Sequence, residues 1–312
     1  MISEKDVYIV VDIDTTKHLG REDLAVRLLD LLLRNNASYA PQKWGVEEPA
    51  RYVIDLDDLS PILEEWLAPK EWKDLLFARK RPAPAEMWIG IRRFERAKFN
   101  SFHAYISEKY FKKIGPEKEL LDFITELCSV MGAAYGFIAH KTQESRQSPI
   151  LTPAERLPGI YWANFFGQPY IDFFGRERLL ATPCHEVREI NENLILLLTA
   201  ESPFQPEMLE NDDIPDLIKR YLNEKAFAGP RFPDKPCEVP EFDFSDIRPK
   251  PESFIAETPE QKLNRIVAEL EAKGYKLIDR AQNQLTFQGE DSSVAVVNVN
   301  TESISLDLAG KD

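Results

Sequence analysis

The sequence predicts an α+β protein, with a mainly antiparallel sheet, packed helices and a small C-terminal α+β domain. Two patterns support this class. Short segments rich in β-branched and aromatic residues follow one another along the chain, and amphipathic helical segments are inserted between pairs of them. Strands that are neighbours in sequence commonly pair with each other, which favours an antiparallel sheet over the parallel sheet of regular strand–helix alternation.

The first part of the chain begins with a strand and an amphipathic helix. Ser60 is a residue type that caps helices and Pro61 suits a first helical turn, so a second helix is expected to begin there. A third helix is expected after Gly115-Pro116, and Gly132 is expected to end it. The other elements predicted here are strands at residues 7–13, 87–94 and 99–106 and a helix at residues 22–34.

The chain then continues with four strands and one helix. β-branched and aromatic residues mark the strands, and turn-forming residues separate them. These strands are predicted at residues 133–139, 159–165, 184–190 and 194–199, and the helix at about residues 213–226.

Composition divides the chain into three parts. Residues 1–227 form the predicted main domain. Residues 228–257 are rich in proline and lack a regular apolar period, which is typical of a linker or a wrapping arm. Residues 258–312 form a predicted small domain, with a helix at residues 259–273 and strands near residues 275–279, 283–288, 293–299 and 303–308.

The composition narrows the function classes. The chain has 312 residues, 43% hydrophobic and 29% charged, with a formal net charge of −14 and a pI near 4.9. Direct nucleic-acid binding requires a basic surface, so it is not expected, whereas a basic protein partner is. The three cysteines form no CxxC pair, and no apolar run approaches the ~20 residues of a membrane span. We expect a cytoplasmic protein without a cofactor.

One short motif resembles that of an enzyme family. The predicted strand and the residues after it, YIVVDIDTTK, place Asp12 and Asp14 in a DxD pattern similar to the first motif of haloacid dehalogenase-like phosphatases. That resemblance implies that Asp12 is a nucleophile and Asp14 an acid/base, with a metal ion held by the carboxylates. Thr15 stands where that family usually has glycine, and the spacing from Thr199 to Asp212 leaves no room for the intervening lysine and helix. A phosphatase is therefore the alternative hypothesis.

Two other groups contain metal-ligating residue types. Asp55, Asp57 and Asp58 precede the helix at Ser60, where carboxylates commonly cap the helix. In the tripeptide Cys184-His185-Glu186, alternation along a strand separates the histidine from the other two side chains. No nucleophile-elbow, phosphate-loop or HExxH motif occurs. Neither group predicts a metal site, and we expect a binding protein rather than an enzyme.

The stretch GIYWANFFGQPYIDFFG, residues 159–175, has seven aromatic residues in seventeen positions. The strand period places Tyr161 and Phe165 on one face and Trp162 on the other, so both faces are apolar and the strand is interior. We interpret the stretch as a buried strand, a glycine turn and a short capped helix. The buried amide of Asn164 must then form a hydrogen bond, most simply with the backbone.

The same stretch resembles bacterial immunity proteins of polymorphic-toxin and type VI secretion systems, specifically the immunity protein 52-like group and related domains of unknown function. The resemblance covers about residues 20–227 and continues through HEVREINENLILLLTAES. It implies a protein that binds and neutralises a cognate toxin, often a nuclease, and it supplies no catalytic residue. An adaptor or structural module of a mobile-element system is a further alternative. The residues that carry the resemblance are Gly159, Trp162, Asn164, Gly167 and Gly175.

Charge is distributed unevenly along the chain, and this predicts the binding surface. Residues 201–260 contain fifteen acidic and seven basic residues, whereas residues 70–118 contain thirteen basic and six acidic residues. An acidic surface suits a basic toxin, because complementary charge speeds the encounter. The predicted toxin contacts are Glu207, Glu210, Asp212, Asp213 and Asp216.

Overall fold

The structure, a computed structural model, confirms the α+β class and the antiparallel sheet. The chain separates into two compact units, residues 1–248 and residues 249–312. The structure describes residues 8–33, 39–80, 84–109, 117–147, 153–227, 238–248, 259–272, 274–281, 284–289, 293–299 and 304–309.

Ten strands among the described residues of the larger unit form one antiparallel sheet. Their bounds are β1 Tyr8–Thr15, β2 Lys43–Gly45, β3 Tyr52–Val53, β4 Trp72–Arg79, β5 Ala85–Arg92, β6 Asn100–Ser107, β7 Tyr135–His140, β8 Ala163–Gly167, β9 Glu186–Asn191 and β10 Leu194–Leu198. The strand order is β3-β2-β4-β5-β6-β1-β7-β8-β10-β9. β1 therefore lies at the centre of the sheet, between β6 and β7.

Helices of the larger unit cover the two faces of this sheet unequally. They are α1 Glu22–Leu33, α2 Ser60–Leu67, α3 Glu117–Met131, α4 Lys141–Gln147, α5 Gln168–Phe174, α6 Arg176–Leu180, α7 Pro206–Glu210 and α8 Asp213–Leu222. α1, α2 and α3 pack on the first face, where Ile9, Val11 and Ile13 of β1 belong to one continuous core. α5, α6 and α8 pack on the second face over β7, β8 and β10, in a separate core.

Two predicted boundaries are wrong for identifiable reasons. The strand expected from residue 159 begins only at Ala163, because side chains of α4 bind the preceding backbone. Gln147 bonds both the amide and the carbonyl of Ile160, and Gln143 accepts from the amide of Trp162. Ser60 is the first residue of α2 and does not cap it; Asp58 accepts a hydrogen bond from the Ser60 amide at 3.0 Å.

The described part of the proline-rich segment, residues 238–248, packs on the larger unit. The ring of Phe242 lies 5.2 Å from that of Phe99 and 5.9 Å from that of Tyr170, centroid to centroid. Arg248 donates to the carbonyl of Ala97 at 2.8 Å. This part of the predicted linker or arm is therefore held against the main sheet; residues 228–237 and 249–257 lie outside the described residues.

The smaller unit has a helix and a four-stranded antiparallel sheet among its described residues. The elements are α9 Pro259–Ala272, β11 Lys276–Ala281, β12 Gln284–Gln288, β13 Val294–Val299 and β14 Ile304–Ala309, with the strands in sequence order. Alternate residues of β12 and β13 pack with the helix in one core, which contains Ile266, Leu270, Leu285, Phe287, Ala295 and Val297. The predicted helix and four strands are all present.

Candidate functional site

The five predicted contact residues lie at the corner between α7 and α8, which we call the acidic corner (residues 206–216). Glu207, Glu210 and Asp213 are exposed. Asp212 is half-buried, and Asp216 is only 3% exposed. The structure therefore brings three of the five carboxylates to the surface together.

Arg146, which sequence reasoning missed, holds the acidic corner in place. Its guanidinium donates to the carbonyls of Met208 at 2.8 Å and Asn211 at 3.0 Å, and also to that of Leu209. It forms an ion pair with Asp212 at 3.1 Å. These carbonyls end α7 and have no partner within the helix, so one side chain of α4 satisfies the end of α7 and fixes the direction in which α8 begins.

Asp216 has a structural role inside α8. Its carboxylate lies 3.7 Å from the ammonium of Lys219, and both side chains are almost completely buried. A buried charge is tolerated when an opposite charge compensates it. Asp216 is therefore separated from solvent, and a partner docked on the corner would not contact it directly.

The residues that carry the immunity-protein resemblance form part of the core. Asn164 bonds the backbone of Tyr161 twice, accepting from its amide and donating to its carbonyl, both at 2.9 Å. The indole of Trp162 donates to the carbonyl of Ala200 at 3.0 Å. Asn164 thus has the backbone partner expected from the sequence, and it bends the chain just before β8.

Glycine is required at each of three positions in the same stretch for a different reason. A Cβ atom on Gly167 would lie 1.8 Å from the carbonyl oxygen of Ala133, so this position needs glycine because another backbone passes close to it. The predicted turn is not the reason, since φ of Gly167 is −82°. Gly175 ends α5 with φ at +87°, as a capping glycine does. On Gly159, a Cβ atom would lie 2.8 Å from the side chain of Gln147.

A second candidate site lies on the second face of the sheet, over β1, β4, β5 and β6, which we call the open half. Antiparallel partners project from the same face. The strand register places Asp12, His103, Trp88 and Leu76 in one row and Asp14, Ser101, Gly90 and Asp74 in the next. Most of these side chains are half-buried, and Trp72, the first residue of β4, is 64% exposed.

Charged pairs cross the open half. Arg92 binds Asp74 at 2.7 Å and lies over the ring of Trp72, 4.5 Å from its centroid. Oδ1 of Asp12 lies 3.2 Å from Nδ1 of His103. Tryptophan and arginine, the residue types of Trp72 and Arg92, are enriched in protein interfaces.

The pKa values of His103 and Asp14 in the open half are shifted from their ordinary values. Burial lowers the pKa of His103, but Asp12 and Asp14 outweigh this and raise it to about 9. Burial raises the pKa of Asp14 well above its usual value, Asp12 raises it further, and His103 opposes the shift. At neutral pH a protonated imidazole therefore lies against a carboxylate, an arrangement found both in structural ion pairs and in acid–base sites.

The other residues considered from the sequence are not brought together. Asp55, Asp57 and Asp58 are exposed, and Cys184 donates to the carbonyl of Glu186. No group of three or more metal-ligating side chains occurs within the described ranges. Cys128 is buried and, like Cys184, free, whereas Cys237 lies outside the described residues. The helices that the structure describes are all too short or too polar to cross a bilayer.

No protein-family model matches the chain, and no curated protein matches it in sequence. Among solved structures, the chain is similar to a Pseudomonas aeruginosa T6SS protein, with 11% identity over 86% of each chain and a TM-score of 0.45. Similarity at this level is too low to establish a shared role. The resemblance to immunity proteins thus depends on the residues quoted above and stays a prediction.

Proposed function

We propose that this chain is a cytoplasmic immunity protein that binds and neutralises a cognate bacterial toxin without turnover or a cofactor. The acidic corner is the observation that carries the proposal. Glu207, Glu210 and Asp213 are exposed there on a short helix and the first turn of the next one, and Arg146 fixes the angle between the two. A preorganised surface loses less entropy on binding than a flexible one.

The charge of the corner indicates the chemistry of the partner. Three exposed carboxylates on a protein of net charge −14 attract a basic surface from a distance. The substrate groove of a nuclease is such a surface, because it binds a phosphate backbone. An acidic protein that occupies this groove excludes the nucleic acid, which is how we propose that the toxin is neutralised.

Co-expression with the product of the neighbouring gene tests the proposal. An immunity protein should restore the growth of cells that express this product, whereas an adaptor module should not. The triple variant E207K/E210K/D213K should weaken binding at least tenfold at low salt, since each reversal removes an attraction and adds a repulsion. The salt dependence of the affinity should also become smaller.

A matched control has the same change in charge elsewhere. Glu64, Glu119 and Glu126 are exposed on α2 and α3, outside the acidic corner. The variant E64K/E119K/E126K should bind almost as tightly as the wild type. Equal loss in both triple variants would mean that net charge alone matters, and unchanged affinity in the corner variant would remove the corner from the interface.

Hydrolysis is the second candidate, and the Asp12–His103–Asp14 cluster favours it. Asp12 and Asp14 lie within β1, which continues to Thr15, and not at the end of a strand as the phosphatase motif implies. Phosphatase substrates with magnesium, assayed on the wild type and D12N, separate this function from toxin binding. Turnover that D12N abolishes would replace the immunity proposal.

A further inference from the structure

A cavity on the open half has the features of a small-molecule site. Its volume is about 220 Å³, and it lies between β2, β4, β5 and the loop before β3. Leu76 is buried at its wall, and the exposed side chain of Val53 borders it. Ligand sites are mostly apolar with a few polar groups that orient the ligand. The lining residues that supply apolar atoms include Pro49, Ala50, Val53, Leu76, Ala78 and Trp88.

Cationic groups border the same cavity. The ammonium groups of Lys43 and Lys80 line it and have no ion-pair partner among the described residues. Glu48 and Glu86 also line the cavity, and Glu86 already interacts within the protein. Among the described residues, the cavity thus has two unpaired ammonium groups and one unpaired carboxylate, that of Glu48, so the balance of charge favours an anion.

We propose that this cavity binds a small carboxylate with an aromatic or short aliphatic body. The body lies against Leu76, Ala78 and Trp88, and the carboxylate lies near Lys43 and Lys80. The volume is below the ~300–1,000 Å³ typical of drug-sized ligands, which limits the body to a single ring system or a short chain. The proposal is independent of toxin binding, because the acidic corner contributes no lining residue.

Benzoate, indole-3-carboxylate and hexanoate are the probes, measured by ligand-observed NMR and by the indole N–H signal of Trp88, which W88F identifies. At least one should bind the wild type with a dissociation constant of about 1 mM or lower. The corresponding neutral amide should bind at least tenfold more weakly. Affinity of the amide equal to that of the acid, or no binding of any probe at about 10 mM, would overturn the proposal.

Two variants locate the site. K43E/K80E should reduce the affinity for the carboxylate at least tenfold, whereas the control K17E/K118E, with the same change in charge at exposed lysines of the larger unit that do not line the cavity, should leave it unchanged. A78W should fill the cavity and abolish binding, with folding checked by circular dichroism. Because K43E/K80E changes only surface positions, unchanged affinity in that variant rejects the site even if A78W fails to fold.

Discussion

The open half and the covered half of the second sheet face both contain aromatic residues, but in opposite surroundings. One row of the sheet runs from Trp88 through His103 and Asp12 to Phe137 and Asn164. On the covered half, over β7, β8 and β10, helices bury the rings, and the hydroxyl groups of Tyr135 and Tyr170 donate to backbone carbonyls. On the open half the rings are half-exposed beside charged pairs. Aromatic residues therefore mark the core in one region and a candidate binding surface in the other.

The most destabilising change should be one in the covered half, G167A. The new Cβ atom cannot lie 1.8 Å from the carbonyl oxygen of Ala133, so the junction of β8 and α5 must move. We expect a loss of about 4 kcal/mol or more in the free energy of unfolding. Urea unfolding followed by tryptophan fluorescence measures it, and all five tryptophans lie in the larger unit.

G45A is the control for this substitution, because its nearest neighbour would be 3.4 Å away, an ordinary contact. G45A should lower the free energy of unfolding much less than G167A does. Similar losses in the two variants would show that the close approach at Gly167 is relieved by a small backbone shift.

Removing one aromatic side chain from each half compares the two halves directly. Tyr170 packs within 6 Å of the rings of Phe166 and Phe174 and donates to the carbonyl of Pro153, so Y170A should cost about 3–5 kcal/mol. Trp88 is half-exposed and contacts Tyr105 edge to face, so W88A should cost about 1 kcal/mol. Equal losses, measured by the same unfolding experiment, would mean that the open half is a structural element like the covered half.

Elements with a regular local pattern were predictable, whereas β2, β3, β4, α4 and α7 were not predicted. The period of apolar residues in β1 and α1 and the glycine after α3 mark those elements in the sequence itself. The start of β8 depends on Gln143 and Gln147 of α4, whose side chains bind the backbone of the segment that precedes this strand. No local pattern records such a contact, which is why that boundary was wrong.

The candidate sites were predictable only in part for the same reason. Charge counting located the acidic corner, since Glu207 and Asp213 are close in sequence. It could not show that Asp216 faces inward, or that Arg146 binds the end of α7. The pairing of Asp12 with His103 depends on strand register, which joins residues that lie far apart in the chain. An arginine on a short polar helix would have been the one hint of the Arg146 contact.

The open half should also give the stability a pH dependence. The pKa of His103 is raised to about 9 in the folded protein, above its ordinary value of about 6.5. The Asp12–His103 pair therefore stabilises the fold fully below about pH 6.5, and this contribution is lost as the pH rises towards 9. D12N should lower the pKa of His103 and remove this dependence, which NMR titration of the imidazole can follow.

H185N is the control for the titration, since His185 is exposed and distant from Asp12 in the chain. It should leave the His103 titration unchanged. A pKa of His103 near 6.5 in the wild type would mean that water screens the pair and that the open half carries no persistent ion pair.

The central position of β1 also has a consequence for biosynthesis. β1 ends at Thr15, whereas its partners begin only at Asn100 and Tyr135, so its backbone stays unpaired until both have been synthesised. A nascent chain with the segment YIVV exposed for that time is prone to intermolecular pairing. Asp12 and Asp14 place negative charge beside this segment and oppose aggregation. These two carboxylates thus protect the growing polypeptide before the sheet exists.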